Sequence, residues 1–265
     1  MLQKEIVTKV LDFVRSEPKT IQDIALLLDK NWRTADRYVE QIAQETGMIG
    51  TKIFRKGSRG ALKLVYWNAL EPGKGSAYQE RLLQTIMTRK RKEDFSPLDI
   101  FQFVSGDARD VGHGETDFAG LVKKAEQQVL FFSGNLSWVD TASNKALQAL
   151  AQKHISLKIL TRVDLVSKQR VKTLLAMNHR YGRDVVDIRH CEQPLRGMIV
   201  DNLVLSMKET LSPQQHRELK ETVYLSYLIK DKEWILWMQR VFWQLWNQSI
   251  DAHTRVTALE EIRGK

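Results

Sequence analysis

The sequence has a single cysteine, Cys191, so the chain can form no internal disulfide and no metal cluster held by cysteines alone. It contains no run of about eighteen apolar residues, which excludes a helix that crosses a membrane. The first residues, Met1 to Glu5, run directly into an amphipathic pattern that includes an acid, unlike a secretory or transit peptide. We therefore expect a cytoplasmic protein of a reducing compartment.

Motifs for metals and cofactors are also scarce. The six histidines show no metal-ligand spacing. No glycine-rich loop ending in Gly-Lys-Thr or Gly-Lys-Ser is present, so the chain lacks the usual cradle for nucleotide phosphates. We expect neither a bound metal nor an organic cofactor.

The net charge of +9 lies almost entirely in the first third of the chain. Residues 1–92 have 18 lysines and arginines against 10 aspartates and glutamates, whereas residues 93–265 have 23 against 22. Residues 51–92 alone hold 11 basic and 2 acidic side chains. Such a surplus is typical of a surface that neutralises nucleic-acid phosphates, although a solvated surface or a basic linker would carry the same charge.

Helical spacing of apolar residues predicts three short helices at the start of the chain. Thr20 resembles an N-cap, with Asp23 three residues later as the partner of a capping box. Asn31 resembles a second N-cap, and Gly47 is a helix terminator. This order is typical of a helix-turn-helix. The predicted helices span about Leu2 to Arg15, Thr20 to Leu28 and Asn31 to Glu45.

A basic hairpin is predicted directly after the third helix. Strand-like runs from Met48 to Phe54 and from Ala61 to Trp67 flank a polar segment whose two glycines permit a tight turn. A hairpin at this position is the wing of a winged helix-turn-helix, which lies along the DNA backbone or the minor groove. The candidate DNA-binding residues are Asn31, Arg33, Thr34, Arg37, Tyr38, Gln41, Lys52, Arg55, Lys56, Arg59 and Lys63.

Winged helices also serve as protein-docking modules, but Arg33 and Arg37 on the outward face of the third helix favour DNA. We expect this domain to span residues 1–70, followed by a basic helical linker at residues 71–94. The apolar stripe of that linker, which contains Leu82 and Ile86, forms either a dimer seam or a contact with the chain itself.

Residues 95–265 show alternating strands and helices, which predicts an α/β domain. The expected fold class is therefore α/β (α+β overall), with an N-terminal winged helix-turn-helix, a helical linker and a C-terminal α/β domain. A long helix from Lys232 to Ser249 contains four tryptophans at core-like spacing, which favours burial or subunit packing over base stacking.

The strand and loop from Phe131 to Ser137 and the segment from Pro194 to Asp201 resemble parts of the phospholipase D-like domain of the TrmB family. The family consists of archaeal regulators with an N-terminal winged helix, and the resemblance spans nearly the whole chain. It implies a chromosome-associated, homodimeric DNA-binding protein. Family members that sense sugars use an additional C-terminal region that is not evident here, so a sugar effector is not expected.

The phospholipase D signature, His-x-Lys-x4-Asp, aligns with Pro194, Arg196 and Asp201. Proline has no nucleophilic nitrogen, so catalysis by this route is not expected and the protein is expected not to be an enzyme. Arg196 and Asp201, with Ser133 and Asn135, are candidates for binding an anion or a polar ligand. The alternative is a relic ion pair in a structural domain.

The leading hypothesis is a homodimeric transcriptional regulator that binds double-stranded DNA, with the α/β domain used for assembly and possible ligand sensing. One alternative is an architectural protein that coats or bends chromosomal DNA. An alternative of another class is a phospholipase D-like nuclease or phosphodiesterase, and a third is a winged helix that docks to protein.

Overall fold

The computed structural model describes residues 2–55, 61–71, 75–113, 118–139, 141–214 and 216–263. Residues 56–60 of the predicted hairpin, with Lys56 and Arg59, lie outside the described part. The chain divides into two compact units, Met1–Glu71 and Pro72–Lys265. The division assigns the helix predicted as a linker to the second unit.

The described residues of the first unit form three helices and a three-stranded sheet. The sheet is antiparallel throughout, with the strand order β1-β3-β2. The core is formed by apolar residues from every helix and from both long strands, among them Val10, Ile24, Val39 and Val65. The elements are α1 (Lys4–Ser16), β1 (Lys19–Thr20), α2 (Ile21–Leu28), α3 (Trp32–Thr46), β2 (Ile49–Arg55) and β3 (Ala61–Trp67).

Local side-chain chemistry sets the ends of these helices. Thr20 and Asp23 form the predicted capping box at the start of α2. Asn31 caps α3 by accepting a hydrogen bond from the Thr34 amide at 3.0 Å. Gly47 ends α3 in the left-handed conformation that glycine adopts without strain. The prediction of a winged helix-turn-helix is confirmed as a fold.

The second unit is an α/β domain built on a large mixed sheet, as predicted. Its helices are α4 (Ala77–Thr88), α5 (Leu98–Phe101), α6 (Phe118–Lys123), α7 (Thr141–Gln152), α8 (Lys168–Tyr181), α9 (Lys232–Gln248) and α10 (Ala252–Arg263). Its strands are β4 (Arg109–His113), β5 (Gln128–Phe132), β6 (Ser156–Thr161), β7 (Val186–His190), β8 (Gly197–Val200), β9 (Val204–Leu211), β10 (Val223–Ile229) and β11 (Ile250–Asp251).

The strand order of this sheet is β11-β7-β6-β5-β8-β9-β10-β4. Strands β5, β6 and β7 pair in parallel, and the remaining pairs are antiparallel. Parallel neighbours require a crossover helix, and α7 and α8 supply it for β5 to β6 and for β6 to β7. The parallel part is therefore covered by helices and deeply buried.

Alternate residues of β5 enter different layers of the core. Val129 and Phe131 pack with α6, α7, α8 and α10 in one cluster, whereas Phe132 contacts Phe242 of α9 with ring centroids 5.3 Å apart. Helix α9 thus covers the opposite face of the sheet. Its four tryptophans are buried, which confirms the interpretation that they belong to the core.

The stripe of α4 that contains Leu82 and Ile86 is also buried within the single chain. Contact with the chain itself, one of the two alternatives for this stripe, is the arrangement found. Because this stripe is buried within the chain, the proposed dimer would have to form through a different surface.

Candidate nucleic-acid interface

The outward face of α3 carries two exposed arginines, Arg33 and Arg37. They lie one helical turn apart, on the side opposite the buried residues Ala35, Val39 and Ile42. Within the described residues neither arginine has a carboxylate partner. Their charges are therefore available to an external anion.

Each arginine lies over an aromatic ring of its own helix. The guanidinium carbon of Arg33 is 5.4 Å from the centroid of Trp32, and that of Arg37 is 5.7 Å from the centroid of Tyr38. A guanidinium held over a ring keeps its N–H donors at its edge. This contact limits the rotamers of the arginines without using the donors that would reach phosphates or base edges.

The other predicted residues of α3 are partly engaged within the helix. Asn31 serves as the N-cap, and the Gln41 amide donates to Glu45 Oε1 at 2.8 Å. Thr34 and Tyr38 are half-buried beside the arginines. Helix α3 therefore brings the predicted residues together, with the two arginines as its exposed cations.

The hairpin adds Lys52, which is exposed on β2 with its Nζ 5.2 Å from the ring centroid of Phe54. Arg55 is the last residue of β2, and its side chain lies outside the described part of the structure. The predicted contacts of Lys56 and Arg59 fall in residues 56–60 and are likewise outside it. The described hairpin thus contributes one free cation beside an exposed aromatic ring.

Lys63 departs from its predicted place on the DNA backbone. Its ammonium lies 2.6 Å from Asp36 and 2.8 Å from Glu40, both on α3, and the side chain is only 16% exposed. Burial lowers the pKa of Lys63, but the two carboxylates outweigh burial and hold the pKa above its ordinary value. Lys63 therefore offsets one of the two charges of Asp36 and Glu40 and ties β3 to α3 instead of facing solvent.

In the second unit, three of the four predicted ligand residues surround the end of β5. Ser133 is buried, and its hydroxyl accepts hydrogen bonds from the Leu136 amide and the Trp138 indole, both at 3.1 Å. Asn135 Oδ1 accepts from the Ser137 amide at 3.2 Å. Both side chains shape the loop, which leaves Arg196 as the group with spare donors.

Arg196 lies flat over Gly134 and lines a cleft of about 230 Å³. Its Nη1 donates to the main-chain oxygens of Gln193 and Leu195, and no carboxylate pairs with it among the described residues. Burial lowers the pKa of Arg196 below its ordinary value, and the charge of Glu93 offsets this in part. The cleft is lined by Lys92, Glu93, Phe95, Ser96, Pro97, Pro194, Arg196, Met207, Lys208, Glu209, Thr210, Leu211 and His216.

Asp201 is not part of that cleft, which corrects both predictions made for it. Arg196 precedes β8 and Asp201 follows it, so five residue steps of extended chain separate their Cα atoms by roughly 16 Å at about 3.3 Å per residue. The Asp201 carboxylate accepts from the amides of residues 126, 127 and 128 at 2.8, 3.1 and 2.7 Å. It anchors a turn at the far end of β8, and there is neither a shared ligand site nor a relic ion pair with Arg196.

No family model and no curated protein matches the chain. Among solved structures, TrmBL2, an archaeal chromatin protein that binds DNA, is 12% identical with a TM-score of 0.44 over 93% of both chains. Nuc, a phospholipase D family member from Salmonella typhimurium, is 16% identical with a TM-score of 0.39, covering 54% of this chain and 96% of its own. NucT from Helicobacter pylori is 11% identical with a TM-score of 0.39, covering 54% and 98%. Similarity at this level carries no information about individual residues.

Trp32 is an exposed residue that the sequence interpretation missed. It is the first residue of α3, directly after the Asn31 cap, and its side chain is 56% exposed. An indole so exposed beside Arg33 adds apolar contact surface to the cationic face of α3. Its exposure could have been inferred from the sequence, because Trp32 stands at the predicted start of the helix and outside the stripe of residues predicted to be buried.

Two further classes of site are missing from the described part of the chain. No group of three or more histidine, cysteine, aspartate or glutamate side chains is placed to hold a metal ion there. None of the helices described has both the length and the apolar character that crossing a bilayer requires.

Proposed function

We propose that the chain binds double-stranded DNA, with α3 in the major groove and the basic hairpin beside it. The observation that carries this proposal is the pair of exposed, unpaired arginines on α3, Arg33 and Arg37. A helix of this kind presents its N-terminal residues to base edges, and guanidinium groups bind guanine or phosphate with two hydrogen bonds. Lys63 supports the same face because its positive charge offsets one of the two negative charges of Asp36 and Glu40, which repel phosphates.

The test is a titration of the full chain against short duplexes at several salt concentrations. We expect log K to fall with log salt at a slope of about −5 to −6, as for about six neutralised phosphates at roughly 0.9 each. The six cations are Arg33, Arg37 and Lys52, with Arg55, Lys56 and Arg59 from the sequence of the hairpin. Weak binding with little salt dependence would instead favour a winged helix that docks to protein.

We further propose that the protein acts as a homodimer, either as a transcriptional regulator or as an architectural component of the chromosome. Paired recognition helices match duplex half-sites one helical turn apart, which is the physical reason to expect two copies. Discrete promoter peaks in genome-wide crosslinking would favour regulation, and broad coverage would favour an architectural role.

We also propose that the second unit does not cleave phosphodiesters. Pro194 occupies the position of the nucleophile in the motif that the sequence resembles, and Asp201 is committed to main-chain amides. The rival nuclease requires metal-independent cleavage of DNA by the purified chain. Turnover of that kind would overturn the proposal.

A second function, binding of a small anion beside Arg196, is favoured by the half-buried guanidinium without a carboxylate partner. A buried charge is costly unless it is paired, and an anion in the cleft would pair it. Lys92 and Lys208 line the same cleft, against the carboxylates of Glu93 and Glu209, so with Arg196 the lining has three cations and two acids. A bound anion would also contact the segment from Lys92 to Pro97.

We expect inorganic phosphate to raise the melting temperature of the full chain at constant ionic strength. Each kcal/mol of stabilisation corresponds to about 2–4 °C for a domain of this size. Arg196→Gln should abolish the rise, whereas Lys230→Gln, which removes an exposed cation outside the cleft, should retain it. An equal rise in both variants would contradict a site at Arg196.

A further inference from the structure

The half of the hairpin nearest its turn exposes three large apolar side chains. Ile53 is 54% exposed, Phe54 43% and Leu62 46%. They occupy the second and third residue pairs counted from residues 56–60, beyond the part of the sheet where Ile49 and Val65 enter the core. Nothing in the described first unit covers them, so the hairpin presents an apolar surface to solvent.

The strand register places two of these side chains on one face. Phe54 lies directly opposite Leu62, and side chains opposite each other in an antiparallel pair share a face. Lys52, two residues before Phe54, is on that face as well, with its ammonium over the phenyl ring. Ile53 lies on the other face, directly opposite Lys63, which pairs with Asp36 and Glu40 of α3. The apolar surface of the hairpin is therefore the face with Phe54 and Leu62, and Lys52 adds a cation to that same face.

The charge around the hairpin indicates what kind of molecule covers the face with Phe54 and Leu62. No aspartate or glutamate occurs between Glu45 and Glu71, a stretch that contains five lysines and arginines. Of the two cations whose side chains the structure describes, Lys63 pairs with carboxylates and Lys52 does not. The occupant is therefore anionic at its rim and apolar within, which describes the minor groove of DNA, where phosphates border the sugars and base edges.

The minor groove is too narrow to accept this hairpin without a change in the DNA. The minor groove of B-DNA is about 6 Å wide, and two strands about 4.8 Å apart with side chains on both faces exceed this width. A hairpin that enters must open the groove, and apolar side chains that insert between base steps bend the duplex towards the major groove. We propose that Phe54 and Leu62 act as a wedge that bends DNA. This inference rests on the proposed DNA binding and adds a deformation to it.

Bending can be measured separately from binding, by energy transfer between dyes at the two ends of a short duplex saturated with the full chain. We expect the ends to approach in the complex with the unaltered protein. The double variant Phe54→Thr/Leu62→Thr keeps strand propensity and should bind within about tenfold, because the cations remain, yet should lose most of the change in transfer. Leu165→Gln, which removes a 60% exposed leucine in the second unit, should bend DNA as the unaltered chain does.

A second readout is the choice between duplexes. Pyrimidine–purine steps such as TA bend easily, whereas A-tracts are stiff, so the unaltered chain should prefer the TA duplex and the double variant should not. Saturation without a change in transfer would overturn the wedge while leaving DNA binding intact. Equal bending by the double variant would also overturn it, because the bend would then not depend on Phe54 and Leu62. Failure to bind any duplex at low salt would overturn the proposed function itself.

Discussion

Replacing Arg33 and Arg37 together by alanine is expected to weaken binding to a preferred duplex by about 2–6 kcal/mol. The figure combines about 1–3 kcal/mol for each arginine that reads a base edge with two hydrogen bonds. At about 1.4 kcal/mol for each factor of ten, this is roughly 30-fold to 10⁴-fold in affinity. Titrations of the double and single variants against preferred and scrambled duplexes at fixed salt measure it.

The comparison between the preferred and scrambled duplexes distinguishes contacts with base edges from contacts with phosphates. Arg33→Ala or Arg37→Ala should weaken binding to the preferred duplex more than to the scrambled one, whereas Lys52→Ala should weaken both alike. Lys9→Ala removes an exposed cation from α1 and serves as the control of equal charge. Equal losses from all four single variants on every duplex would contradict sequence reading by α3.

The helix-turn-helix was predictable because its signals are local. The Thr20 and Asp23 box, the Asn31 cap and the Gly47 terminator each act within four residues of their partners. Side-chain chemistry over such short distances is almost independent of the rest of the fold. The helix ends therefore follow from the sequence to within a residue or two.

The contacts of Lys63 could not be predicted from such local signals. As a basic residue in a basic hairpin it matched the pattern of a phosphate contact. Its real partners, Asp36 and Glu40, are 27 and 23 residues away and meet it only because β3 packs beside α3. Such a contact depends on strand register and packing, which periodicity does not specify.

In the second unit, the positions of Arg196 and Asp201 also could not be predicted from their spacing in the sequence. Their spacing in the motif suggested a shared site, but β8 lies between them and directs them to opposite ends of the sheet. The same limit applies to short elements. Strand β4 was not predicted because Arg109–His113 contains a single apolar residue, Val111, and β11 because two residues show no periodicity. Helix α10 was missed because its apolar stripe is weak.

The largest expected effect on stability comes from Gly197, the first residue of β8. A Cβ at this position would lie 2.1 Å from the main-chain oxygen of Ser206 and 2.9 Å from the Cα of Met207, both in β9. These are backbone atoms in the middle of the sheet, and they can move away only if β8 and β9 separate. We therefore expect Gly197→Ala to lower the free energy of unfolding of the second unit by at least about 4 kcal/mol, as seen for severe core disruptions.

Urea unfolding of the full chain, followed by tryptophan fluorescence, tests this expectation, because the four tryptophans of α9 report on the second unit. Gly106→Ala is the matched control: nothing lies within 4 Å of a Cβ at Gly106, and the residue is exposed. It should leave stability unchanged or raise it by up to about 1 kcal/mol through the unfolded state. If both variants unfold at the same urea concentration, the close approach of β8 to β9 at Gly197 is not a feature of the folded protein.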